Sequence, residues 1–126
     1  MPYPFPKLGF TAAVREDLPH TAVVALEGPL DATTAPALLE GLEPLLSAGI
    51  LRYVLDIRKV GYIYSLCDGI LIDLSDAVRP RGGCVILVGM LPNMRVVFDM
   101  LGWGRFWDLA DTVEDALNRI RALPPT

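Results

Sequence analysis

The feature that most constrains this chain is the run Cys84-Val85-Ile86-Leu87-Val88, five apolar residues behind a Gly82-Gly83 turn. Side chains alternate faces along a strand, so apolar residues at odd and even positions alike require burial on both faces. Sheets covered on both faces are mostly parallel ones joined by helical crossovers. The rest of the chain supplies the partners such a strand needs. Apolar and β-branched residues mark strands over Leu8 to Arg15, Thr21 to Glu27 (Val23, Val24, Leu26) and Arg52 to Ile57 (Tyr53, Val54, Leu55), with a short edge strand over Phe106 to Leu109.

Helical spacing fills the intervals. Leu38, Leu42 and Leu45, broadened by Leu39 and Leu46, predict a helix from Thr33 to Ala48. Thr33 or Thr34 is placed to cap it, Pro36 falls in its first turn, Pro44 should kink or thin it, and Gly49 ends it. A second helix is expected from Ser65 to Arg79, with Leu66, Ile70, Leu74 and Ala77 or Val78 on one face and Pro80 as its stop. A third spans Asn93 to Leu101, and a fourth, capped by Asp111 or Thr112, runs to about Ala122. The fourth has Glu114 and Asp115 early and Arg119 and Arg121 late, the order that suits the helix dipole. Two strands followed by helix–strand alternation predict an α/β fold, a mixed but mostly parallel sheet with about four helices. A length of 126 residues suits one domain over residues 8–123. It is preceded by a segment, residues 1–7, that prolines at positions 2, 4 and 6 should hold extended.

Composition narrows the function classes. Acidic and basic residues are interspersed and sum to a net charge of −4, with no basic stripe to follow a phosphate backbone, so nucleic acid is not an expected partner. Two cysteines, Cys67 and Cys84, sit in no metal-binding spacing, which points away from a zinc site or disulfide framework and toward a reducing, cytoplasmic setting. No run is long enough to span a bilayer, and the N-terminus lacks a signal-peptide pattern, so direct membrane insertion is not expected. The apolar share, 52%, is high enough that some apolar surface is expected to await a partner.

Catalytic patterns are missing. His20 is the only histidine and stands in a Leu-Pro-His turn, so a serine nucleophile would have no base beside it. No phosphate-loop, dinucleotide or metalloprotease motif occurs, and no cofactor or metal is expected. Trp103 and Trp107 are read as packing residues rather than a ligand-stacking pair. The carboxylates offer more. Asp31 follows a strand and a Gly-Pro turn, Asp56 sits near the end of a strand, and Ser65 opens a helix. All three are expected at the end of the sheet where helix N-termini gather. Asp31 could equally be a turn residue and Ser65 a helix cap. A phosphate on Ser65 would meet exposed helix N–H groups and add a charge of about −1.5 to −2 to an acidic rim.

Several stretches, in order, resemble the STAS family of bacterial anti-anti-sigma factors. These are Ala25-Leu26-Glu27-Gly28-Pro29-Leu30-Asp31, Tyr53 to Ile57, Tyr62-Ile63-Tyr64-Ser65, Arg81 to Val88, Pro92 with Val96 to Gly102, and Thr112-Val113-Glu114-Asp115-Ala116-Leu117. The resemblance implies a regulatory protein–protein interaction module rather than an enzyme. It implies an anti-sigma factor antagonist in transcription regulation, whose partner is an anti-sigma factor that is also a kinase, or a subunit of a signalling complex. By position Ser65 matches the phosphoacceptor, and Asp31 matches the acidic residue of the neighbouring loop. Where the family carries Asp-Ser-Ser-Gly, this chain has Tyr64-Ser65-Leu66-Cys67, followed by Asp68. The expected partner surface is therefore Asp31, Tyr64, Ser65, Leu66, Cys67 and Asp68. The apolar flanks of Ser65 also suit a non-phosphorylated scaffold subunit in a signalling or membrane transport complex. Pairing into a homodimer stays open.

Overall fold

The computed structural model describes residues 8–126; the proline-spaced segment 1–7 lies outside the described residues. Strands β1 (Gly9–Arg15) and β2 (Thr21–Glu27) form an antiparallel hairpin. The chain then alternates through α1 (Ala35–Ser47), β3 (Arg52–Lys59), α2 (Ser65–Val78), β4 (Cys84–Val88), α3 (Pro92–Met100), β5 (Asp108–Ala110) and α4 (Val113–Arg121). The sheet order follows the chain order, β1 to β5, and every pairing after the hairpin is parallel. Single-turn 3-10 helices follow α2 (Arg79–Arg81) and α3 (Trp103–Arg105).

Alternation along the central strands divides the interior into two layers. Ala22, Val24 and Leu26 of β2, Tyr53, Leu55 and Ile57 of β3, and Val85 and Leu87 of β4 face the layer formed with α1, α2 and α3. Val54, Cys84, Ile86 and Val88 face the opposite side, against Ala116, Leu117 and Ile120 of α4. β4 is thus buried along its whole length, as its unbroken apolar run requires. Trp103 and Trp107 pack in the interior with ring centroids 5.2 Å apart, and the Trp107 indole N–H donates to the Leu71 carbonyl at 3.2 Å.

Several local expectations change. Thr34 occupies the cap position of α1 but has helical backbone angles, and its hydroxyl serves the preceding turn instead of a helix N–H. Pro44 does not end α1; it lies on the exposed side, where water can donate to the carbonyl that the missing proline N–H leaves free. β5 starts two residues later than its apolar letters suggest, because Phe106 still belongs to the turn after the 3-10 helix, and its carbonyl accepts a 2.6 Å bond from Ser75.

Candidate functional site

Parallel strand order brings the loops after β2 and β3 to one end of the sheet. There Gly28, with φ of 114°, turns the chain out of β2, a conformation open mainly to glycine. The turn's Leu30 forms a parallel bridge with Ile63, and the Tyr64 N–H donates to the Leu30 carbonyl at 2.8 Å. Cys67 Sγ reaches the Asp31 carbonyl at 3.4 Å. These bonds fix the start of α2 against the Gly-Pro-Leu-Asp turn, so Asp31 and Ser65 lie on neighbouring segments.

Asp31 organises its own turn. One carboxylate oxygen accepts from the Thr33 hydroxyl at 2.6 Å, the Thr33 N–H at 2.9 Å and the Thr34 N–H at 3.3 Å. The Thr33 hydroxyl, followed by the two backbone donors, outweighs partial desolvation and holds the Asp31 carboxyl below its ordinary range. Buried Thr34 closes the turn from beneath: its Oγ1 donates to the Pro29 carbonyl at 2.7 Å and accepts from the Asp31 N–H at 3.1 Å.

At the start of α2, Tyr64 holds the cap position with extended backbone and no side-chain cap, and Ser65 is the first helical residue rather than the cap. The first N–H bonded within this turn is that of Asp68, to the Tyr64 carbonyl at 3.0 Å. The N–H groups of Ser65, Leu66 and Cys67 thus point out of the helix start with no intrahelical carbonyl to meet. Tyr64, Ser65 and Leu66 are exposed. Cys67, expected on the partner surface, is fully buried; its thiol braces the Asp31 turn, and burial pushes it above the ordinary thiol range. Asp56 does not join this group. It pairs with Arg58, at 2.6 Å in the closest contact, in a separate depression floored by Gly9, Thr11 and Ala25.

Ser65 lies on the rim of an open depression of about 410 Å³. Tyr62, Ile63, Tyr64 and Asp68 form one side, and Val97, Leu101 and Trp103 the other. Asp68 is half-buried there. One of its oxygens is closed off from solvent without a hydrogen-bond partner among the described residues, and burial pushes the carboxyl up to about 6. Exposed apolar side chains stand on both elements that flank it, Tyr64 and Leu66 at the start of α2 and Val96, Met100 and Leu101 on or just after α3, with Met100 78% exposed.

The α3 half of this surface escaped the sequence reading. Its signal was present, since the doublets Val96-Val97 and Met100-Leu101 wrap apolar side chains around more of the helix than one buried stripe needs. Among the described residues no cluster of His, Cys, Asp and Glu is arranged to hold a metal ion, and no helix is long and apolar enough to cross a membrane.

Comparison with known proteins agrees with this architecture. The fold is similar to an anti-sigma factor antagonist from Mycobacterium paratuberculosis, with a TM-score of 0.79 and 22% identity over 96% of this chain and 99% of that one. It is similar also to the anti-sigma factor antagonist SpoIIAA in its unphosphorylated form (TM-score 0.74, 20% identity, 92% of this chain and 99% of the other). The phosphorylated form of this Bacillus cell fate determinant superposes with a TM-score of 0.69 at 22% identity, over 90% of this chain and all of that one (100%). No curated protein matches the sequence. The family model for the STAS domain matches residues 12–116. The chain belongs to the STAS domain family.

Proposed function

We propose that this protein is a regulatory docking module of the anti-sigma factor antagonist kind, and that Ser65 is its switch. It binds a protein partner, an anti-sigma factor with kinase activity or a subunit of a signalling complex, through the exposed start of α2 and the adjoining face of α3. The observation that carries this reading is the position of Ser65. Its side chain is exposed on the first turn of a helix whose leading N–H groups have no intrahelical partners, and it borders an apolar surface that a partner can cover.

A phosphate on Ser65 would be held by those N–H groups and favoured by the helix dipole, so the fold would tolerate it. The same phosphate would place about two negative charges beside Tyr64, Leu66 and Leu101, where a docked apolar partner would have to desolvate them. The module itself would change little, while its affinity for the partner would fall. In this reading the protein performs no catalysis, and its output is which complex it joins.

The test has two parts. Protein recovered from its own cells is digested and its Ser65 peptide searched for phosphate, and the partner that co-purifies is titrated against wild type, S65A and S65D. Phosphate on Ser65, with S65A binding like wild type and S65D at least about tenfold weaker, supports the switch. Equal binding by all three variants removes it, and would leave the exposed Tyr64 and Leu66 as a constitutive scaffold contact.

A further inference from the structure

A second surface lies between α1 and α2, lined by none of the residues of the Ser65 depression. Helical residues spaced i, i+3, i+4 and i+7 ordinarily face a core. Here two such sets face an open groove of about 300 Å³ instead. Leu39 and Leu46 form one wall, Ile70 and Ala77 the other, and Leu42 and Leu74 the floor. Leu39 remains 44% exposed. Each wall also carries one acid, Glu43 on α1 and Asp73 on α2.

The charge on these two helices is one-sided. Neither α1 (APALLEGLEPLLS) nor α2 (SLCDGILIDLSDAV) contains a lysine or arginine, although the chain holds 11 basic residues elsewhere. Their acids include Glu40, Glu43, Asp73 and Asp76, and none of these four enters an ion pair among the described residues. An apolar trough between two acidic walls complements one kind of surface, a helix with an apolar stripe flanked by lysine or arginine. The lining runs from Leu39 to Leu46 on α1 and from Ile70 to Ala77 on α2, about 10 Å along each helix, enough to seat about two turns of a guest.

We infer that the α1–α2 groove is a second docking site, for a basic amphipathic helix supplied by a partner protein. Leucine-type anchors of the guest would fill the space over Leu42 and Leu74, and its flanking cations would lie against Glu43 and Asp73. This site does not depend on the Ser65 reading.

The experiment uses the full chain and a labelled synthetic helix of about 18 residues, with leucines on one stripe and lysines beside it. A second peptide carries glutamate in place of each lysine. Anisotropy titrations are run with wild type, L39K, A77K, the double variant E43Q/D73N, and M100K on α3. Positions 39, 77 and 100 are exposed, so these changes leave the fold intact, which circular dichroism verifies. The inference expects micromolar binding of the lysine peptide and at least about tenfold weaker binding of the glutamate peptide. L39K and A77K should each weaken the lysine peptide about tenfold, E43Q/D73N should flatten its salt dependence, and M100K should change nothing. No binding at millimolar peptide, or equal binding of both peptides, overturns it. So does sensitivity to M100K rather than L39K, which would put the helix on the Ser65 surface. A concentration-dependent dimer in sedimentation that L39K dissolves also overturns it, by giving the groove to a second copy of the chain.

Discussion

The backbone N–H of Tyr64 donates to the carbonyl of Leu30 at 2.8 Å, across 34 residues of chain. This bond joins the turn after β2 to the start of α2, and it makes two distant sequence fragments into one surface. The exposed hydroxyl of Ser65 is the next residue along, so anything that loosens the turn also moves the switch position.

Thr34 therefore reports on that join. Its side chain is 1% exposed and bonds both Pro29 and Asp31. Thr34→Val keeps the shape but leaves the Pro29 carbonyl and the Asp31 N–H without their partner. Removing one member of a buried hydrogen bond costs about 1–3 kcal/mol. Urea unfolding should show a loss in that range, with amide exchange fastest at Asp31 and Tyr64.

Gly83 guards the other end of the sheet. A β-carbon there would collide with the Leu51 carbonyl, just ahead of β3, and stand 2.8 Å from the Val78 β-carbon at the end of α2. Gly83→Ala should destabilise the domain by at least about 2 kcal/mol, measured by thermal or urea denaturation. Gly82→Ala offers a contrast, since its cost comes from the backbone, with φ of 82°, and not from crowding.

How much of this was legible depended on whether the cause was local. β2 and β4 lie where their letters place them, because β-branched density and flanking glycines act within a few residues. The last helix cap is one of the two residues the sequence offers: Thr112, not Asp111, accepts from the Asp115 N–H at 3.1 Å, a contact spanning three residues. Thr34 shows the limit. It has the composition of a cap, yet a better partner, the Pro29 carbonyl, stands behind it, and sequence spacing does not reveal that competition. Cys67 stands in sequence among the residues expected to meet a partner, whereas its position on the helix turns it inward. Exposure of Val96 and Met100 follows from what fails to pack on α3, and so from the arrangement of the whole domain.

Asp68 should make stability fall as pH rises. Its folded carboxyl titrates near 6, against 3.8 for the ordinary group. Below 3.8 it is protonated folded or unfolded and burial costs nothing. Between 3.8 and 6 the unfolded chain ionises first, so stability declines, and above 6 the full penalty stands. Asp68→Asn removes the charge. It should stabilise the protein at pH 7.5 by about 1–2 kcal/mol, allowing for partial solvent screening, and leave it almost unchanged at pH 3.5. Denaturant midpoints of both proteins across that range test the sign directly.

Ser65 and Asp68 are three residues apart on α2 and border the same depression, so their charges should feel each other. Ser65→Asp adds a carboxylate at the first helical position, where the dipole favours it by about 0.3–1 kcal/mol. It also sets a like charge near the half-buried Asp68, which disfavours ionising both. Carbon-detected NMR titration of the Asp68 carboxyl should therefore give a midpoint above its wild-type value in S65D, and an unshifted one in S65A. The dipole gain and the repulsion oppose each other at neutral pH, so the variant's unfolding midpoint should move little there. The gain fades at acid pH, as the new carboxylate itself becomes protonated. An Asp68 midpoint indifferent to residue 65 would mean that the two side chains are screened by water, and that a charge on Ser65 is felt only by whatever docks above it.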